Sequence, residues 1–171
     1  MQNIVLNVRK KLKEKVVLSR SKFLIFSGTS LFVILIDQSL KYLVAKSMPY
    51  GKPLKIMGNY LWITYIKNPY GVWGIKFPEW FPYELIAFLI IALLIAFLIF
   101  EKKKIYVLSY SFLFGGAIGN LIDRLRFKAV VDFIDVGISE NLRWPIFNIA
   151  DSSITIGIIL LFLIPLIFER K

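Results

Sequence analysis

Apolar residues in this chain gather into four long runs, at 23–44, 83–100, 105–122 and 152–168, each bounded by charged or turn-forming residues. At about 1.5 Å per residue, 18 helical residues reach about 27 Å, just enough to cross the hydrocarbon core of a bilayer. The pattern therefore predicts four membrane-spanning helices. Only Glu101-Lys102-Lys103-Lys104 separates the second from the third, which predicts a helical hairpin, and Pro165 falls near the end of the fourth. No internal repeat is present.

The connection at 47–82 has a different character. Met48-Pro49-Tyr50-Gly51 and Asn68-Pro69-Tyr70-Gly71 both carry Pro at the second position and Gly at the fourth, as type I turns prefer. Residues 59–66 are aromatic and β-branched, which favours a strand. Trp62, Trp73, Trp80 and the nearby tyrosines suit a membrane–water interface. The expectation is a small β element lying on the bilayer.

Composition agrees with the pattern. The 171 residues are 57% hydrophobic, above the ~45–50% apolar content of soluble domains, and the mean hydropathy is +0.67. The balance of 22 basic to 11 acidic residues could suggest a nucleic-acid partner. However, seven of the basic residues lie in the arm 1–22, immediately before an apolar run, as the positive-inside rule expects. The dense charge of that arm and of the Lys102–Lys104 turn places both termini in the cytoplasm, with the β element and the segment 123–151 outside. A basic arm followed by an apolar stretch also resembles a signal peptide, with Ala45-Lys46-Ser47 as a faint cleavage site. A cut there would discard Asp37 and Lys41, and the run is long enough to span, so it is read as an uncleaved anchor. The fold class that follows is an all-α integral membrane protein, a single membrane domain over 1–171. It has four transmembrane helices, a small extracytoplasmic β element and both termini cytoplasmic.

There is no cysteine and no histidine. That removes thiol catalysis, the usual serine triad and most zinc sites, and leaves carboxylates, Lys, Ser or Tyr to carry any chemistry. Five of the eleven acids (Asp123, Asp132, Asp135, Glu140 and Asp151) fall within residues 115–151, and acids beside spanning segments are functional candidates. Asp132 follows the third run and Asp151 opens the fourth, so the two meet the same membrane face and could converge. Two carboxyls at close range share a proton, so that one can activate water while the other protonates a carbonyl. From spacing alone the plainer readings lead: Asp151 as a helix N-cap, Asp132 as a loop acid paired with Lys128 or Arg126. Asp37 and Lys41 lie four apart on one helical face, as an internal ion pair would. Asp123-Arg124 could tie the acid-rich segment together, and Gly115, Gly116 and Gly119 suit close helix packing. A proton-coupled carrier using these carboxylates is an alternative. So is a Ser–Lys peptidase built on Lys41 with Ser39 or Ser152.

Four segments in this order resemble the lipoprotein signal peptidases, bacterial membrane aspartic peptidases also called signal peptidase II. They are Asp37-Gln38-x-x-Lys41, Gly115-Gly116-x-x-Gly119-Asn120-x-x-Asp123-Arg124, Val131-Asp132-Phe133, and Phe147-Asn148-x-Ala150-Asp151-Ser152. The resemblance covers nearly everything from 23 to 168. It implies an endopeptidase that removes signal peptides from diacylglyceryl-modified prolipoproteins, cutting before the lipidated cysteine. It assigns Asp132 and Asp151 as the catalytic pair, with Asn120, Asp123, Arg124, Asn148 and Ala150 around them and Asp37 and Lys41 as the polar pair of the first span. Asn68 carries over as well; Tyr70 stands at the family's usual glycine position, so Gly71 does not. Neither metal nor other cofactor is implied. The expected setting is the bacterial cytoplasmic membrane with the site near its extracytoplasmic face. The expected partners are prolipoprotein substrates and membrane lipids, with no nucleic acid, and the expected state is a monomer.

Overall fold

The computed structural model describes residues 20–71, 75, 76, 78, 80–101 and 103–168. Residues 1–19 of the basic arm, Trp73, Lys102 and the tail from Glu169 lie outside them. The four apolar runs form helices α1 (Arg20–Ser47), α2 (Tyr83–Phe100), α3 (Lys104–Phe127) and α4 (Ile149–Phe168). Each is long and apolar enough to cross a membrane. Three strands, β1 (Pro53–Met57), β2 (Leu61–Asn68) and β3 (Val130–Val136), form one antiparallel sheet in the order β1-β2-β3.

Helix α3 is the centre of the bundle and packs against the other three helices. Its glycines are the reason it can. A Cβ built on Gly115 would come within 2.9 Å of the Val33 side chain on α1, and one on Gly116 within 2.4 Å of the Ala150 carbonyl on α4. Either would force the backbones apart, so the small residues set the helix spacing as they do in other membrane bundles. Helix α3 also runs five residues past the apolar stretch that predicts it, carrying Asp123 and Arg124 on its last turns rather than on the following segment. It ends at Lys128, a non-glycine residue in the left-handed conformation (φ 56°) whose N–H closes on the Arg124 carbonyl.

The strand expected at 59–66 is β2, shifted two residues along. The turn before β1 is also shifted by one. The Lys52 N–H closes on the Pro49 carbonyl, which places Gly51 third, with φ 71°, a conformation glycine adopts without a Cβ clash. The third strand is contributed by the segment read as acid-rich. Its register with β2 sets Ile66 against Asp132 and Asn68 against Val130. The loop after β3 folds back on it through bridges between Gly137 and Arg143 and between Ile134 and Phe147. Trp80 is exposed, but Trp62, expected at the bilayer surface, is buried. It lies under the Arg143 guanidinium at 3.6 Å and beside Lys55 at 4.9 Å.

Candidate active site

Asp132 sits in the middle of β3, only 2% exposed, with its backbone fixed by the sheet. Asn148 donates its side-chain Nδ2 to one carboxylate oxygen at 2.7 Å, and Asn68, the last residue of β2, donates to the other at 3.1 Å. Asn68 in turn accepts the Tyr70 N–H at 3.0 Å, a side-chain turn that orients its amide. Burial pushes the Asp132 carboxyl up to about 7, and the charge of Asp151 adds to that rise, against the opposing pull of the two asparagine amides. The loop-acid reading fails here, because Asp132 is a strand residue held by amides and not by Lys128 or Arg126.

Asp151 lies in the first turn of α4, and the N-cap is Asn148. The Asp151 N–H donates to Asn148 Oδ1 at 2.8 Å, and the Asn148 N–H donates back to Asp151 Oδ2 at 3.3 Å. This is the reciprocal pattern of a capping box, which satisfies two otherwise orphaned helix donors. The other Asp151 oxygen accepts Asn120 Nδ2 at 2.8 Å. Asn148 therefore serves both aspartates: its side chain reaches Asp132 while its cap fixes Asp151. Asn120 lies against it as well, Asn148 Nδ2 approaching Asn120 Oδ1 at 3.1 Å.

Asn120 is held in turn by Lys41, whose Nζ donates to Asn120 Oδ1 at 3.0 Å and pairs with Asp37 at 2.8 Å and Asp123 at 2.9 Å. All three charged side chains are almost fully buried, at 3%, 0% and 2% exposure. Each carboxylate has a second task. Asp37 accepts the Ala150 N–H at 2.8 Å, an orphan donor of the first turn of α4, where a carboxylate also suits the helix dipole. Asp123 accepts the Val131 N–H at 3.0 Å, which ties α3 to the residue preceding Asp132. Ala150 is fully buried, and Gly119 faces it: a Cβ at Gly119 would meet Asp37 Oδ2 at 2.7 Å. Arg124 stands on another side, donating to the Tyr70 carbonyl at 3.3 Å and lying 4.9 Å over the Tyr83 ring.

All ten residues singled out in the sequence thus fall in one connected set of contacts. Gln38 was not among them, yet its amide bridges Asp37, the Gly119 carbonyl and Asp123 at 3.1–3.3 Å. A polar residue inside a spanning run is the signal that marks it. The other two acids of the stretch lie elsewhere. Asp135 pairs with Arg143 at 2.5 Å and accepts Thr64 Oγ1 at 2.8 Å, and Glu140 pairs with Lys55. The described contacts of Lys41 are to Asp37, Asp123 and Asn120, so the Ser–Lys reading lacks its pair. What remains is two carboxylates on separate elements, joined through one asparagine and backed by a buried ion cluster. Such an arrangement can hold one proton and polarise a water or a carbonyl.

Comparison with known proteins places this chain in a family. The family model for signal peptidase (SPase) II matches residues 29–167. A lipoprotein signal peptidase of Staphylococcus carnosus (strain TM300) is 40% identical over 141 residues, covering 81% of this chain and 87% of that protein. Two solved structures, each described as a bacterial membrane enzyme structure by the in meso method, share the fold. The one at 2.3 Å resolution has a TM-score of 0.77 and 35% identity, covering 92% of this chain and 95% of its own. The other, at 1.9 Å resolution, has a TM-score of 0.73 and 36% identity, covering 91% and 98%.

Proposed function

The chain belongs to the signal peptidase II family, membrane-embedded hydrolases that process lipoproteins, and on that premise we propose that it cuts by an Asp132/Asp151 dyad. The substrate is a diacylglyceryl-modified prolipoprotein, and the bond broken is the one preceding its lipidated cysteine. The pair shares one proton. Asp132, whose carboxyl lies near 7, presents that proton to the scissile carbonyl oxygen. Asp151, held by Asn120 and by the Asn148 N–H, takes a proton from the water that attacks the carbonyl carbon. The tetrahedral intermediate collapses when the cysteine nitrogen accepts a proton and leaves as the free amine. Lys41, Asp37, Asp123 and Gln38 are positioning residues: they fix Asn120 and the first turn of α4 so that both carboxylates face one point.

The observation that carries this reading is the double role of Asn148, which links two aspartates from β3 and α4. The carrier alternative draws on the same carboxylates but has no observation that favours it over hydrolysis. In the same reading the chain is one membrane domain working as a monomer in the bacterial cytoplasmic membrane. Both termini are cytoplasmic, the sheet and the dyad lie near the extracytoplasmic face, and membrane lipids surround the helices.

The test is cleavage of a purified prolipoprotein, with and without its diacylglyceryl group, in the presence of EDTA. Wild type should cut only the lipidated form, before the cysteine. Asp132→Asn and Asp151→Asn should each lose at least about 10³-fold in kcat, the scale on which a single acid–base or charge-stabilising group acts, with the thermal transition retained. Cleavage that survives either substitution removes that aspartate from the mechanism.

A further inference from the structure

A pocket of about 280 Å³ opens where the last turns of α1 and α3 meet β2. Lys41 and Asp123 of the buried cluster line it, together with Tyr42, Tyr65 and Phe127. Two more cations complete the lining, Lys67 from β2 and Arg126 from α3, so three positive groups face one carboxylate. Lys41 and Asp123 are already matched to each other. Lys67 and Arg126 are not: among the described residues neither forms an ion pair with a carboxylate, and Lys67 Nζ rests 4.8 Å over the Phe127 ring. Both side chains are exposed, Arg126 on the last turn of α3 and Lys67 on the adjoining β2, at the depth where a spanning helix ends and headgroups lie.

We propose that this pocket binds the phosphate-bearing headgroup of an anionic phospholipid. The phosphodiester bridges Lys67 and Arg126, the arrangement in which paired cations hold phosphate oxygens best. The acyl chains run down beside Tyr42 and Phe127, which are 63% and 49% exposed on membrane-crossing helices. A free phosphate would gain the charge contacts only; a lipid gains these and the apolar surface, and basic residues beside a membrane attract anionic lipid in any case. The occupied pocket presses on Lys41, which pairs with Asp123 and holds Asn120 beside Asp151, so anionic lipid should raise turnover. That last effect rests on the proposed dyad; the binding does not.

The full-length protein would be reconstituted in phosphatidylcholine vesicles with and without phosphatidylglycerol, extracted gently, and its retained lipid counted by native mass spectrometry. Wild type should retain phosphatidylglycerol in preference to phosphatidylcholine. The double variant Lys67→Gln/Arg126→Gln should lose that preference by about tenfold, the equivalent of one charge-assisted contact. Ala45→Phe, which fills the pocket from α1 without changing any charge, should lose it too and carries the test if the double variant does not fold. Equal retention by wild type and both variants overturns the proposal. So does equal retention of the two lipids by wild type, or displacement of the lipid by inorganic phosphate at matched concentration. In cleavage assays phosphatidylglycerol should raise kcat for wild type and not for the double variant. If retention behaves as expected and kcat does not respond, the site stands and its link to the dyad fails.

Discussion

The carboxylates at this end of the molecule fall into two sets that differ in what holds them. Asp37 and Asp123 share Lys41, Asp135 holds Arg143, and Glu140 holds Lys55. Asp132 and Asp151 have no cation within ion-pair distance among the described residues and are held by amide N–H groups. A cation at contact distance favours the charged form of a carboxylate, whereas burial without one favours the neutral form. The first set ties elements together, and on the proposed mechanism the second is the pair that exchanges a proton. An excess of acids in the stretch points to the region; the absence of a matching cation among the described residues sets the proposed pair apart. The buried lysine is still close by, but it donates to Asn120 and not to Asp151; on the proposed mechanism it positions the pair.

The strongest way to break this contrast is to remove a cation from each kind of scaffold. Lys41→Met leaves Asp37 and Asp123 buried and uncompensated, and breaking a fully buried ion cluster in this way costs about 3–5 kcal/mol. Because Asn120 loses its anchor, kcat should fall along with the melting temperature. Arg143→Met strips Asp135 of its partner at a less deeply buried site and also releases the loop carbonyls of Asn59 and Ser139. It should cost about 1–3 kcal/mol while leaving kcat and its pH dependence unchanged. Thermal unfolding and single-turnover cleavage of the two variants give both numbers. A loss of kcat in Arg143→Met equal to that in Lys41→Met would erase the distinction between the clusters.

The second set is tested by pH. The Asp132 carboxyl lies near 7 in the folded chain, above its ordinary unfolded value of about 3.9. Between those values the folded state binds more protons than the unfolded state, so stability is full below the lower value and is lost as pH rises through 7. Asp132→Asn removes that loss. It also turns an amide toward the Asn68 donor, so the net gain at pH 8 should be on the order of 2 kcal/mol, less than the linkage alone would give. The gain should vanish or reverse at pH 5. Melting curves of the two proteins across this range measure it; parallel curves would mean that Asp132 titrates normally. On the same grounds wild-type kcat should fall as pH rises above about 7, when the pair loses its shared proton.

What was legible beforehand follows the same division. The four helices were legible because membrane-length apolar runs have few other solutions, and α2 begins and ends where its run does. The end of α3 and the start of α4 were not. Asp123 lies on the last turns of α3, where Lys41 and Gln38 reach it from α1 across a chain separation that periodicity does not see, and α4 starts at residue 149 because Asn148 caps it. Strand β3 was missed for a related reason. Val130–Val136 is buried on nearly every residue, so it shows no alternation of apolar and polar positions, and its two acids read as loop chemistry. The likeness of four motifs to a peptidase family named the residues of the site. The donors that hold each carboxylate, which separate the two sets, are visible only in three dimensions.

The smallest effect completes the comparison. Glu140 and Lys55 form an ion pair at contact distance, yet both side chains are more than half exposed, at 61% and 51%. The lysine holds the Glu140 carboxyl below its usual range, but water competes for both groups and salt screens what is left. The pair also joins the two ends of the sheet region, since Lys55 lies on β1 and Glu140 in the loop after β3. If proximity of charges were what mattered, its loss would loosen the sheet as Arg143→Met does. Within the cation-held set burial decides how much a pair contributes, so Glu140→Gln should leave the melting temperature and kcat indistinguishable from wild type, at low and at moderate salt. A clear drop in melting temperature at low salt, absent at high salt, would show that the exposed pair does structural work, and burial would then not be what decides how much a carboxylate–cation pair contributes.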